Sequence, residues 1–155
     1  MIRWLWLSLM VILLDQASKQ FAESMLTVYE SVTVLPFFDL TLLYNKGAAF
    51  SFLSDQGGWQ RWFFIILAIG VTIVLIGWLW RLKRKEQWIA VALSLIIGGA
   101  IGNVIDRILF GQVIDFLHFH YQGHYWPAFN VADSAITVGV AIMLFDALVL
   151  AKKRA

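Results

Sequence analysis

The stretch "WQRWFFIILAIGVTIVLIGWLW", residues 59–80, carries no charge after Arg61. A helix needs about 20 mostly apolar residues to cross the hydrocarbon of a bilayer. No soluble helix needs to be apolar on every side over that length, because one face would meet water. Working outward, three more apolar spans follow, at residues 4–22, 88–105 and 131–151. The composition agrees: of 155 residues, 61% are hydrophobic and 14% charged. Soluble domains average about 45–50% apolar and about 25% charged. The expectation is a mainly α membrane protein with four transmembrane helices, forming one integral membrane domain over residues 1–155. A net charge of +2 is too small to argue for nucleic acid as a partner. No cysteine occurs, so disulfides, thiolate metal sites and a cysteine nucleophile are excluded.

The opening "MIRWLWLSLMVILL" has one basic residue and an apolar core, as a signal peptide does. No small-x-small cleavage site follows it, and "DQASKQFA" keeps helical spacing, so this first helix is expected to be retained. Lysine and arginine gather at Arg3, in "RLKRK" (residues 81–85) and in "KKR" (residues 152–154). Positive charge marks the cytoplasmic side, so both termini and the short basic loop are expected there. The connections at 23–58 and 106–130 then face outward. Tryptophans 4, 6, 59, 62, 78, 80 and 88 lie near span ends, as interfacial anchors do. In the first outer connection, "TVYESVTVLP" and "FFDLTLLYN" are rich in β-branched and aromatic residues, with Pro36 between them. They predict short strands of a small antiparallel sheet, over about residues 27–55, resting on the outer membrane surface.

Polar residues fall at one depth. At 1.5 Å per residue, Asp15 lies about 18 Å beyond Arg3, and Lys19 about one turn further. Asn103, Asp106 and Arg107 lie about 22–29 Å beyond Trp88. Asn130 and Asp133 open the last span from the outer side, and Asp115 sits in the connection just before it. Charges inside a membrane are costly, and they usually face a bundle interior or cavity and mark function.

Each of these residues has an ordinary reading beside a functional one. Asn130 is an N-cap candidate, and Asp133, three residues on, makes an imperfect capping box. Asp115, within "VIDFLHF", has no cap position to explain it. Together they make a candidate carboxylate dyad. Two nearby carboxyls cannot both ionise cheaply, so they share a proton; one then activates water while the other polarises a carbonyl. The N-terminus of the last helix favours Asp133 as the anion. Asp15 and Lys19, spaced i,i+4, read either as an internal ion pair or as a polar wall of the site. Gly98 and Gly102 form a GxxxG packing pattern. Arg107 either snorkels to headgroups or binds a phosphate-like or carbonyl group near the dyad. "NKGAAF" (residues 45–50) is a turn with an apolar side. His118, His120 and His124 lack the spacing and carboxylate frame of a zinc site, so no metal or other cofactor is expected. Ser134 lacks a nucleophile elbow, and Asp146, near the opposite end of its helix, reads as structural.

Taken in order, "DQASK", "NKGAAF", "GGAIGNVIDR", "GQVIDF" and "FNVADSAI" closely resemble the lipoprotein signal peptidase (signal peptidase II) family. The resemblance implies an intramembrane aspartic endopeptidase of the bacterial cytoplasmic (inner) membrane. It implies catalysis by Asp115 and Asp133, with support from Asp15, Lys19, Asn45, Gly47, Asn103, Asp106, Arg107 and Asn130. The implied substrates are diacylglyceryl-modified prolipoproteins, cut just before the lipidated cysteine. Implied contacts are membrane lipids and cyclic peptide inhibitors such as globomycin. Two rival readings of the residues are a small proton-coupled transporter, using Asp15, Lys19 and Asp106 as a relay, and a noncatalytic assembly subunit held by its GxxxG face.

Overall fold

The computed structural model describes residues 1–47 and 57–150. A single 3₁₀ turn, Ile2–Trp4, leads into α1 (Leu5–Met25). Strands β1 (Ser31–Leu35) and β2 (Phe38–Asn45) follow, then α2 (Trp59–Arg81) and α3 (Gln87–Phe110). Strands β3 (Val113–Tyr121) and β4 (His124–Tyr125) precede α4 (Val131–Phe145), which runs on as a π-helical segment, Asp146–Leu150. The apolar half of "NKGAAF" from residue 48 on and the basic 152–154 end lie outside the described residues.

Among the described residues, three helical stretches are long and apolar enough to cross a membrane: Trp59–Arg81, Gln87–Phe110 and Val131–Val149. The expected first span does form a helix, 21 residues long. It falls outside that class because its second half carries Asp15, Gln16, Lys19 and Gln20. Burial against the other helices explains how α1 tolerates the two charges, since Asp15 and Lys19 are 0% and 1% exposed.

α3 is the central helix and packs against α1, α2 and α4. Small residues make this possible. A Cβ at Gly98 would stand 2.8 Å from the Ser8 carbonyl oxygen of α1, and one at Gly102 would stand 2.6 Å from Asp15 Oδ2. A Cβ at Gly99 would collide with the Ala132 carbonyl of α4. The GxxxG pattern is therefore one face of a three-glycine surface that seats two helices at once. α2 instead turns Ile66, Ile73 and Val74 outward, as a lipid-facing helix does.

The sheet has order β1-β2-β3-β4 and is antiparallel throughout. Pro36 lies in the turn between β1 and β2, as expected. The sequence reading limited the sheet to the 23–58 connection. The structure recruits β3 and β4 from the 106–130 connection as well. "VIDFLHFHY" alternates weakly because both faces of its first half are buried, so period 2 is masked. The pairing sets Leu43 against Asp115 and Asn45 against Val113. α3 also runs past the expected stop at 105 to Phe110 and ends at Gly111, whose φ of 76° suits glycine.

Candidate active site

Asn130 organises the junction between sheet and helices. It caps α4 from extended backbone, and its Oδ1 accepts the Asp133 N–H at 2.9 Å. Asp133 Oδ2 accepts the Asn130 N–H in return at 3.3 Å, completing the capping box. The amide nitrogen of the same Asn130 side chain turns the other way. It donates to Asp115 Oδ1 at 2.7 Å, and to the Ile114 carbonyl and Asn103 Oδ1 at 3.2 Å each. One fully buried residue thus joins both acids: its side-chain amide holds the Asp115 carboxylate and the Asp133 N–H, and its backbone N–H holds the Asp133 carboxylate. The capping reading of Asp133 holds, and the same residue also lines an open cavity.

Each carboxylate has further donors. Asn103 Nδ2 donates to Asp133 Oδ1 at 2.8 Å. Asn45 Nδ2 donates to Asp115 Oδ2 at 3.2 Å. Asp115, on β3, is 3% exposed. Burial, and then the charge of Asp133, push its carboxyl up to about 7, against the opposing pull of Asn45, Asn130 and Lys19.

Behind this layer lies a second, fully buried one. Lys19 Nζ is 2.8 Å from Asp15 Oδ2, 2.7 Å from Asp106 Oδ2 and 3.0 Å from Asn103 Oδ1. Asp15 Oδ1 accepts the Ala132 N–H of the first turn of α4 at 2.9 Å. Asp106 Oδ2 accepts the Ile114 N–H, next to Asp115, at 3.2 Å. The Lys19 cluster therefore anchors both chain segments that present the two carboxylates. Sequence reasoning missed Gln16, whose Nε2 donates to Asp106 Oδ1 at 2.8 Å. Its position one turn before Lys19 on α1 was the available signal.

The front of the site is an open cavity of about 600 Å³. Asn45, Gly47, Asn103, Arg107, Asp115 and Asp133 line its polar side. Trp126, Pro127, Phe129, Ile136 and Val138 are among its apolar lining. Asp15, Lys19, Asp106 and Asn130 are not on the cavity wall; they sit behind it as a scaffold. Arg107 does not snorkel freely. Its Nη2 donates to the Gly47 carbonyl at 2.9 Å, and its guanidinium lies 5.2 Å from the Phe64 ring. Gly47 N–H donates to Asn45 Oδ1 at 2.9 Å, so Arg107 and Asn45 together hold Gly47 at the cavity wall. His118 and His120 lie on β3 and His124 on β4. His120 Nε2 is 3.2 Å from Asp39 Oδ2. Among the described residues, no group of three His, Asp or Glu side chains could hold a metal ion.

The family model for signal peptidase (SPase) II matches residues 7–149. The chain belongs to the signal peptidase II family. It is thus a protease of that family and a multi-pass membrane protein. A lipoprotein signal peptidase of Pseudomonas putida is 57% identical over 145 residues, covering 92% of this chain and 85% of the relative. One from Aeromonas hydrophila is 51% identical, covering 99% of this chain and 92% of the relative. Two solved bacterial membrane enzymes share the fold. One superposes with a TM-score of 0.85 at 33% identity, over 94% of this chain and 87% of the other. The second has a TM-score of 0.80 at 32% identity, over 95% and 93%. Family membership favours the peptidase reading over the transporter and the assembly subunit.

Proposed function

We propose that this protein is an aspartic endopeptidase that removes signal peptides from diacylglyceryl-modified prolipoproteins, cutting just before the lipidated cysteine. The observation that carries the proposal is the Asn130 side chain, which binds Asp115 through its nitrogen and caps Asp133 through its oxygen beside one cavity. The names of the relatives support the substrate class.

The chemistry follows from the environment of each acid. Asp115, held near 7, carries a proton for much of the time at neutral pH and donates it in a hydrogen bond to the scissile carbonyl oxygen. Asp133 stands at a helix N-terminus and accepts two N–H bonds, which suits an anion. As a carboxylate it takes a proton from water, and the resulting hydroxide attacks the carbonyl carbon. The tetrahedral intermediate collapses as Asp133 returns that proton to the leaving amine. No acyl-enzyme forms, and no cofactor takes part.

In this reading all four helices span the inner membrane and both termini are cytoplasmic. The sheet and the cavity lie at the outer leaflet, where the end of a signal peptide arrives. Lipid acyl chains then lie against the apolar side of the cavity, and cyclic peptides such as globomycin compete for the same space. The test is cleavage of a lipidated prolipoprotein by purified protein. Asp115→Asn and Asp133→Asn should each lower turnover about 10²–10⁴-fold while the variants still fold. Ordinary turnover by either variant rejects the dyad.

A further inference from the structure

β3 carries Asp115 and then runs on beyond the cavity. Alternate residues of a strand share a face, so Phe119 and Tyr121 continue the face that bears Asp115. The Phe119 ring is stacked by two others: Phe37 at 6.4 Å and 8°, and Phe129 at 5.8 Å and 11°. These rings, with Tyr121, Tyr125 and Trp126, line a second open groove of about 670 Å³. Trp126 and Phe129 line both hollows, so the groove and the reaction cavity share a wall. Tyr121, Tyr125 and Trp126 nevertheless stay largely open, at 70%, 64% and 63% exposure. An exposed aromatic surface continuous with a reaction cavity calls for an occupant.

The substrate's own parts narrow the choice. At the reacting bond a prolipoprotein has three: the signal helix, the acyl chains on the cysteine, and the polypeptide that follows it. The first two are apolar and belong with the helices and the lipid. Only the third has to leave along the sheet. Tyr121 lies six residue steps along the strand from Asp115, about 20 Å at 3.3 Å a step, so a comparable length of extended peptide spans the distance. Tyrosine and tryptophan offer broad rigid faces with a polar tip, which grip peptide without reading a strict sequence. That suits an enzyme whose substrates share a lipidated cysteine and little beyond it. His120 and His124 add polar groups among the lining.

We propose that the aromatic groove between the β3–β4 hairpin and Phe37 is the subsite for the extended polypeptide that follows the lipidated cysteine.

The proposal rests on the peptidase reading above, and its test separates the two. Two lipidated substrates share one signal peptide; one continues about ten residues past the cysteine and the other ends one residue past it. The variant is Tyr121→Ala with Tyr125→Ala, two exposed side chains that do not line the reaction cavity. The expected result is KM for the long substrate raised about five-fold with kcat unchanged. The short substrate should be cleaved by variant and parent alike. An unchanged KM for the long substrate overturns the proposal. An equal rise for both substrates, with weaker binding of the variant to phospholipid vesicles, also overturns it and assigns the groove to lipid. A parent that cleaves neither substrate overturns the peptidase reading and this proposal with it.

Discussion

Lys19→Met removes one charge from the second layer while keeping an unbranched apolar stem. The ammonium stands 2.8 Å from Asp15 and 2.7 Å from Asp106. At an effective dielectric of 20, each such pair is worth about 6 kcal/mol before desolvation is counted. Most of that repays the cost of taking three charges out of water. The variant loses the attraction and keeps the cost, because both carboxylates remain 0% exposed. Breaking a buried pair by removing one partner costs about 3–5 kcal/mol, and that is the expected loss here. Unfolding of the purified protein in detergent, by heat or denaturant, measures it. Adding Asp106→Asn to Lys19→Met should restore part of the loss, since one unpaired charge is removed. Turnover should fall as well, because Asp15 holds the Ala132 N–H and Asp106 the Ile114 N–H, each beside a proposed catalytic residue. A Lys19→Met protein within about 1 kcal/mol of the parent and equally active would show that charge pairing does not hold this layer.

Further outcomes can be checked, two on helix packing and the rest on pH. Gly99→Ala should cost about 1–3 kcal/mol in the same unfolding measurement, because its Cβ would meet the Ala132 carbonyl and stand 2.8 Å from Ile136 Cγ1. Gly77→Ala, which meets nothing within 4 Å, should be neutral or stabilising by about 1 kcal/mol; equal effects at the two positions would contradict the packing described. The remaining outcomes concern pH. Asp115 is raised to about 7, so the working proton is bound below that value and lost above it, and the alkaline limb of kcat/KM should fall as pH rises through about 7. Asn45→Ala deletes a donor that favours the carboxylate form, so it should move the falling limb to higher pH; a shift to lower pH refutes the assignment.

Much of the site was legible because its residues violate their surroundings. An aspartate in "VIDFLHF" or a lysine within an apolar helix needs a partner, and depth along each helix showed where partners gather. The division of labour among them was not legible. Asp15, Lys19 and Asp106 have the same character in sequence as Asp115 and Asp133, yet they support the cavity from behind. Arg107 read as a residue that could reach headgroups, and it holds the Gly47 carbonyl. Strand β3 was missed because its first half is buried on both faces, which removes the alternation that reveals a strand.

By itself the sequence determined the solvent, the number of long helices and the level at which polar groups collect. Those properties depend on local hydrophobicity and on the fixed rise of a helix, which a chain carries wherever it folds. Which carboxylates face a common cavity was decided only by tertiary structure. Glycine contacts at α3 set how closely α1 and α4 approach, antiparallel pairing with β2 sets where β3 delivers Asp115, and the buried amide of Asn130 joins the two results. Contacts between segments so far apart in the chain leave no mark on any local pattern.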